Sequence, residues 1–334
     1  MKIYIISTGN ISPQHSMDVE RFFQSRIETS DNFFNALEPD YSTFIDSKMI
    51  RRMSRIVKMG VASSATCLRN AGIEMPAAIL TATAYGCLED SASFLRSMIE
   101  FDEQMLSPTA FIQSTHNTVG AQIALLLKCH HYNNTIVHRA FSFENALTEA
   151  ILLLEEGISP ILAGAVDEIT KDRHAILSRF GLYKRDSGNV AGEGAAFFLL
   201  AKEPGNDYQA VLKAVQTIYK PLITQEDISQ FLFSHDLANE LPGLILHAES
   251  GNDKLKQKNY LALKTSFPDT PEFAFKSLSG DFPTSSGFAL WFASLLLKEQ
   301  RAPVWMQGIK FPLKNIFIHQ QDGLHHSFYL ISSY

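Results

Sequence analysis

The chain has 334 residues, of which 46% are hydrophobic and 19% charged, and its formal net charge is -6. That length buries one large domain or two smaller halves, and a negative chain without a basic stripe excludes nucleic acid as the main partner. No apolar run reaches the ~20 residues of a membrane span, so no membrane insertion is expected.

The first ten residues, MKIYIISTGN, are too short and too polar after Ile6 for a signal peptide. The three cysteines, Cys67, Cys87 and Cys129, are odd in number and widely spaced. They make neither a disulfide framework nor a metal motif and read as reduced, packed thiols. A cytoplasmic location is therefore expected, with no metal and no cofactor.

Met1 to Thr8 is a β-branched run ending at Gly9 and reads as a buried strand. Residues 10–50 lack a clear period and read as loops and short helices. From Arg51, apolar residues at helical spacing run to Gly72, a glycine stop. AAILTATA at 77–84 is a short buried strand, followed by a helix over roughly Glu89 to Phe101. The polar segment opened by Ser107-Pro108 becomes helical from Val119.

Thr135 to Ala165 is the centre of the reading: a strand, the tight turn His138-Arg139-Ala140-Phe141-Ser142, a long apolar helix, and a second strand. A helix N-terminus offers unpaired N–H groups and the positive end of a dipole, a good seat for a nucleophile or an oxyanion. An irregular, charged stretch then runs to Asn189, and Gly192-Glu193-Gly194 leads into the strand AAFFLLAKE. As a phosphate loop that glycine pair is very weak, since no Lys or Ser follows it.

Gly205-Asn206-Asp207 marks a break. The second half reads as a strand from Gln209 to Val215, a helix from Thr224 to Ala238, and a strand, GLILH, at 243–247 that ends in the turn AESGND. The turn KSLSGDFPTSSG follows, then a buried helix from Phe288 to Lys298, and strands at 315–319 and 327–332. Strand, polar turn and long apolar helix occur around Ala140 and again around Asp281. The repetition implies two related halves, residues 1–205 and 206–334, in one compact unit. Both long helices are apolar on nearly all faces, which predicts burial between sheets and convergence of their N-terminal turns on one pocket.

Several motifs in order resemble the β-ketoacyl-acyl-carrier-protein synthases. FKSLSG at 275–280 is similar to that family's lysine turn, DSGNVAGEGA at 186–195 to its D-G-x-x-x-G-E-G-A stretch, EEGISPILAGA at 155–165 to the helix end and strand after its nucleophile, and Ser107 to Leu125 to its dimer-side segment. The resemblance implies an α/β thiolase-like fold, layered α-β-α-β-α from two pseudo-repeated halves. It also implies a helix-terminal cysteine nucleophile, two histidines and a supporting lysine.

Aligned to those motifs, the cysteine position is Ala140 and the second histidine position is Asp281. His247 stands at the first histidine position and Lys276 at the lysine, while Gln320 to His326 replaces the C-terminal glycine loop. An alanine methyl cannot be acylated, and an aspartate has the wrong sign to stabilise an enolate. No catalytic residue is therefore assigned, and enzyme activity stays open.

This pattern resembles the chain-length-factor type of synthase subunit, which lacks the cysteine, and the short synthase-like proteins of aryl-polyene and flexirubin-type pathways. It implies pairing with an active ketosynthase, or with itself, through the strand at Thr135 to Val137. Acyl carrier protein and acyl or malonyl thioesters are the other implied partners.

Two enzymatic readings stand beside it. One is an acyltransferase or thioesterase using Ser142, with His247 as base and Asp281 orienting it, although Ser142 also reads as a helix cap. The other is a malonyl-thioester decarboxylase. For Arg139 an internal ion pair with Glu144 or Glu193 is expected, with a carboxylate or phosphate ligand as the alternative, and Lys276 and Asp281 are expected to pair with each other or to bond to the turn backbone. His325-His326 on a strand should face opposite sides.

Overall fold

The β-branched run at the start of the chain forms strand β1 (Ile3–Ile11). It runs through Gly9, where the sequence suggests an end. The glycine is there for closeness: a Cβ on it would lie 2.0 Å from the Ser63 carbonyl oxygen of the helix Arg55–Ala71. The computed structural model describes residues 2–104, 106–183, 187–205, 208–248 and 254–333.

The first half supplies β2 (Phe33–Phe34), β3 (Ala78–Ala82), β4 (Tyr132–Ile136), β5 (Ile161–Asp167), β6 (Ala191–Gly192) and β7 (Gly194–Ala201). The second supplies β8 (Ala210–Tyr219), β9 (Leu244–His247), β10 (Glu272–Ala274), β11 (Asn315–Asp322) and β12 (His325–Ser332). Apart from the small β2–β6 pair, the strands form one sheet in the order β10-β9-β11-β12-β8-β1-β7-β5-β3-β4.

That order repeats itself. Counting the sheet strands of each half in chain sequence, both halves run third, second, fourth, fifth, first. In both, the outer pairs are parallel (β3 with β4 and β5; β9 with β10 and β11) and the pairs nearer the centre of the sheet antiparallel. The halves join where β1 lies antiparallel to β8, Ile3 opposite Leu212.

Three layers of helix alternate with the two half-sheets. Helices Arg55–Ala71 and Thr118–Leu127 cover the outer face of the first half through Ile56, Met59, Val119 and Ile123. Helices Ser142–Glu155 and Ser286–Glu299 share the central layer with Phe143, Leu147, Leu290 and Phe292. Helices Gln225–Ser234 and Lys254–Ser266 cover the second half through Phe231, Leu263, Phe317 and Phe328.

Every residue from Ser286 to Leu297 is buried. Each large side chain there contributes roughly 1.5–3 kcal/mol by leaving water, and the one mid-helix hydroxyl, Ser294, donates to the Leu290 carbonyl at 2.7 Å. Its counterpart, Ser142–Glu155, is not buried all round: Leu152 is exposed. It packs against β3, β4 and β5, and β4 is the last strand of the sheet, so no further strand among the described residues covers that side of the helix.

Three further segments differ from the sequence reading. The charged stretch after Ala165 contains the helix Lys171–Arg179, capped by Thr170. A helix, Lys254–Ser266, lies further along the chain from His247. The Gln320–His326 segment is not an open loop, because β11 and β12 pair without interruption up to Asp322 opposite His325. Gly323, at φ 59°, makes the reversal.

Candidate functional site

Strand β4 delivers the chain into a short 3-10 turn, Arg139–Phe141, and then into the helix Ser142–Glu155. Arg139 takes a φ of 50°, a left-handed conformation that costs a non-glycine residue about 1 kcal/mol. Ser142 holds it there. Its hydroxyl accepts from the His138 N–H at 2.7 Å and donates to the Arg139 carbonyl at 2.8 Å. Both bonds close the turn and neither goes to an imidazole, so the Ser142 proton is committed to backbone. Ala140, inside this knot, is 1% exposed.

Phe141 stacks on the His138 ring at 5.8 Å and meets the His325 ring edge-on at 4.7 Å, and His325 meets Tyr219 at 4.9 Å. This row of rings ties the turn to the β11–β12 hairpin. The ion pair expected for Arg139 does not form. Glu144 points into the core, Glu193 pairs with Arg55, and the Arg139 guanidinium is exposed. The left-handed backbone at 139 aims the side chain outward, which residue spacing could not show.

The same hairpin reaches the lysine turn. Lys276 opens the short helix Lys276–Ser279 and is 3% exposed. Its ammonium lies 2.5 Å from Asp281 Oδ1 and donates to the Gln321 carbonyl of β11 at 2.8 Å. A buried ammonium needs such a counter-charge, because removing one partner leaves an uncompensated ion.

Asp281 is itself locked by its backbone. Its N–H donates to Val190 at 2.7 Å, and its carbonyl accepts from the Gly192 N–H at 3.0 Å and the Tyr183 hydroxyl at 3.2 Å. A Cβ on Gly192 would sit 2.1 Å from the Ser279 carbonyl oxygen. The Gly192-Glu193-Gly194 stretch is thus a seam where the halves touch backbone to backbone. Glu193 is buried against the Arg55 guanidinium at 2.5 Å and accepts from the Ala36 and Ile169 N–H groups at 2.8 and 2.9 Å. Asp186, which opens that motif, and Glu249 to Asp253, after His247, lie outside the described residues.

His247 ends β9, level with His319 on β11. Its ring sits 5.1 Å from that of Tyr260. Burial pushes its pKa down to about 4, against the pull of the Glu272 carboxylate. His319 is deeper still. Burial holds it well below the ordinary imidazole value, and the His326 and His247 rings and the Lys276 charge act in the same direction.

His326 lies on the opposite side of β12 from His325, stacked on His319 at 5.3 Å. Its Nε2 is 3.0 Å from the Lys220 carbonyl, which can only accept, so Nε2 carries the proton. Its Nδ1 then accepts from His319 Nε2–H at 3.0 Å. Burial also lowers His326 to about 4, although the bond to Lys220 opposes the shift. The two rings are therefore neutral with assigned tautomers.

Below the turn, Glu144 is fully buried in the first turn of its helix. It accepts from Tyr329 at 2.6 Å and Ser327 at 2.8 Å. Burial raises its pKa, and these hydroxyls only partly restore the carboxylate.

A sequence profile described as the β-ketoacyl synthase N-terminal domain matches residues 28–217, more than half of the chain. The chain belongs to the β-ketoacyl synthase family. Solved structures show the same fold at low identity. The ishigamide ketosynthase/chain length factor matches at TM-score 0.81 and 14% identity, over 100% of this chain and 99% of that one. A β-ketoacyl synthase from Burkholderia phymatum STM815 matches at TM-score 0.82 and 14% identity, with coverage of 100% and 99%. The ketosynthase ApeO in complex with its chain length factor ApeC, from Xenorhabdus doucetiae, matches at TM-score 0.78 and 13% identity, over 99% and 98%. No curated protein sequence matches the chain.

In this fold the turn that leads into the helix Ser142–Glu155 carries a buried methyl group at Ala140. In place of a loop, β11 and β12 stay in register from Asn315 opposite Ser332 to Asp322 opposite His325. Among the described residues no cluster of three or more His, Cys, Asp and Glu side chains could hold a metal, and no helix is long and apolar enough to cross a membrane. Sequence reasoning missed the His319–His326 pair, Glu144 with Tyr329, and the Arg55–Glu193 pair. The first was within reach: a two-residue turn at Gly323-Leu324 puts residues 319 and 326 on diagonal positions of one hairpin face.

Proposed function

We propose that this chain is the non-catalytic, chain-length-factor-type subunit of a β-ketoacyl synthase pair. It joins a cysteine-bearing synthase, shapes the acyl tunnel at their boundary and helps to receive acyl carrier protein. The observation that carries this reading is the filled site: Ala140 under a closed turn, and Lys276 neutralised by Asp281 and bonded to the hairpin.

Two surface features support it. β4 is an open sheet edge beside the nucleophile turn, with Tyr132 and the adjoining Val137 exposed. An unpaired strand edge is a template for another chain. The helices Leu88–Glu100 and Pro108–Gln113 expose Leu95, Ile99, Phe111 and Ile112, an apolar face of the kind that marks a protein interface. Two of the similar structures are ketosynthases with their chain length factors, and a third, at TM-score 0.77, is a ketosynthase in complex with its acyl carrier protein.

The resemblance to aryl-polyene and flexirubin-type proteins makes a polyene-type chain the first substrate to supply. Co-expression with a cysteine-bearing synthase should give a 1:1 complex that elongates a carrier-bound acyl chain, while the chain alone does not. Elongation by the purified chain alone would remove the proposal. The Ser142 hydrolase reading is weaker, because that hydroxyl is bonded to its own turn. A malonyl-thioester decarboxylase would need polar groups free to hold a thioester oxygen.

A further inference from the structure

Arg139 is the feature of the turn that an empty seat does not explain. A non-glycine residue in the left-handed region at a helix entrance is held there by specific bonds, here those of Ser142 and the stacking of His138 on Phe141. The result is an exposed guanidinium at the end of the open edge strand β4. The carboxylates of the neighbouring elements are engaged elsewhere. Glu144 takes Tyr329 and Ser327, Glu149 takes Tyr132 and Asn134, and Glu193 takes Arg55. Among the described residues Arg139 has no ion pair.

Beside it the exposed segment carries Val137 and His138, with Val137 42% exposed, and Tyr132, 48% exposed, lies at the other end of β4. A partner that pairs along the open β4 edge and covers Val137 meets Arg139 two residues further on. A covered cation without a counter-charge is strongly disfavoured, and among the described residues Glu144, Glu149 and Glu193 are already engaged. We infer that Arg139 reaches across the subunit boundary to a carboxylate of the cysteine-bearing synthase and so selects that partner. The inference rests on the pairing proposed above. The planar five-donor fork suits a carboxylate in two-point contact, which a lysine ammonium does not reproduce.

The test uses the full chain and a tagged, cysteine-bearing synthase from the same gene neighbourhood, with the dissociation constant measured at low and high salt. Arg139→Ala should weaken the complex about tenfold or more at low salt, and the gap should narrow at high salt as charge is screened. Arg139→Lys should restore only part of the affinity. Arg139→Gly relieves the left-handed strain, so the free chain should melt no lower than wild type while the complex is as weak as with alanine. That separation shows that binding, not folding, was lost.

A complex in which all four proteins bind within about twofold, with one salt dependence, overturns the inference. So does a variant that keeps the synthase but loses the carrier protein, which would assign the guanidinium to a phosphate. A wild-type chain that binds no synthase, or that prefers a second copy of itself, overturns the pairing as well.

Discussion

Acidification should act on this protein through its buried imidazoles, and His247 is the cleanest probe. In the unfolded chain an imidazole titrates near 6.5, whereas burial brings His247 to about 4 in the fold. A depressed histidine leaves stability intact above the unfolded value. Stability is then lost as pH falls from about 6.5 toward about 4, because only the unfolded state takes up the proton. With those two values the loss at pH 5 is ~2 kcal/mol for this residue. His326, also near 4, adds a similar amount.

Buried carboxyls act oppositely: burial lifts Glu168 to about 7, so its penalty grows as pH rises. A comparison with His247→Leu cancels such groups, since both proteins carry them. Guanidinium chloride unfolding at pH 7.5, 6.5, 5.5 and 5.0 gives the difference directly. The variant loses the ring contact with Tyr260 at every pH. Relative to that offset it should gain ~2 kcal/mol between pH 7.5 and 5, about four-fifths of it below pH 6.5. A difference that stays flat within ~0.5 kcal/mol would show that His247 titrates like a solvated imidazole, and the account of a sealed histidine cluster would fail.

Other consequences can be measured in the same way. Lys276→Met leaves Asp281 without its buried counter-ion and should cost about 3–5 kcal/mol, whereas Lys276→Met with Asp281→Leu should recover most of it; equal losses in the two proteins would refute the pair. In Glu144→Gln the group whose carboxyl is raised by burial can no longer ionise, so the variant should gain on wild type as pH rises from 5 to 8, and a pH-independent difference would count against it. Gly192→Ala drives a methyl against the Ser279 carbonyl and should destabilise by roughly 2–4 kcal/mol, read as a lower denaturant midpoint. Ala140→Cys places a thiol at the helix entrance, yet the chain alone should still not condense malonyl and acyl thioesters, because the hairpin and Asp281 are unchanged; turnover from that single substitution would contradict the proposed filled site.

Much of the fold was legible because its signals are local. Gly72 ends a helix at φ 65°, as its place after the apolar period predicts. The run from Ser286 to Leu297 is apolar on every face and is buried on every face. The repeat around Ala140 and Asp281 corresponds to an identical strand order in the two halves. The helices at 171–179 and 254–266 were missed because they are polar and short on apolar period; the Thr170 cap supports the first, and Leu263 packs the second into the core.

The site divides along the same line. The amino acids by themselves determine that position 140 bears no nucleophile and that position 281 bears an anion, since side-chain chemistry needs no fold to be read. Only the tertiary structure decides what those residues do. It brings Lys276, Asp281 and the Gln321 carbonyl together from segments up to 45 residues apart, neutralises two histidines against each other, and sends Glu144 inward and Arg139 outward from one turn. These are questions of burial and direction. They depend on which chain segments share a dielectric and where a backbone dihedral points a side chain, and neither is a property of residue order alone.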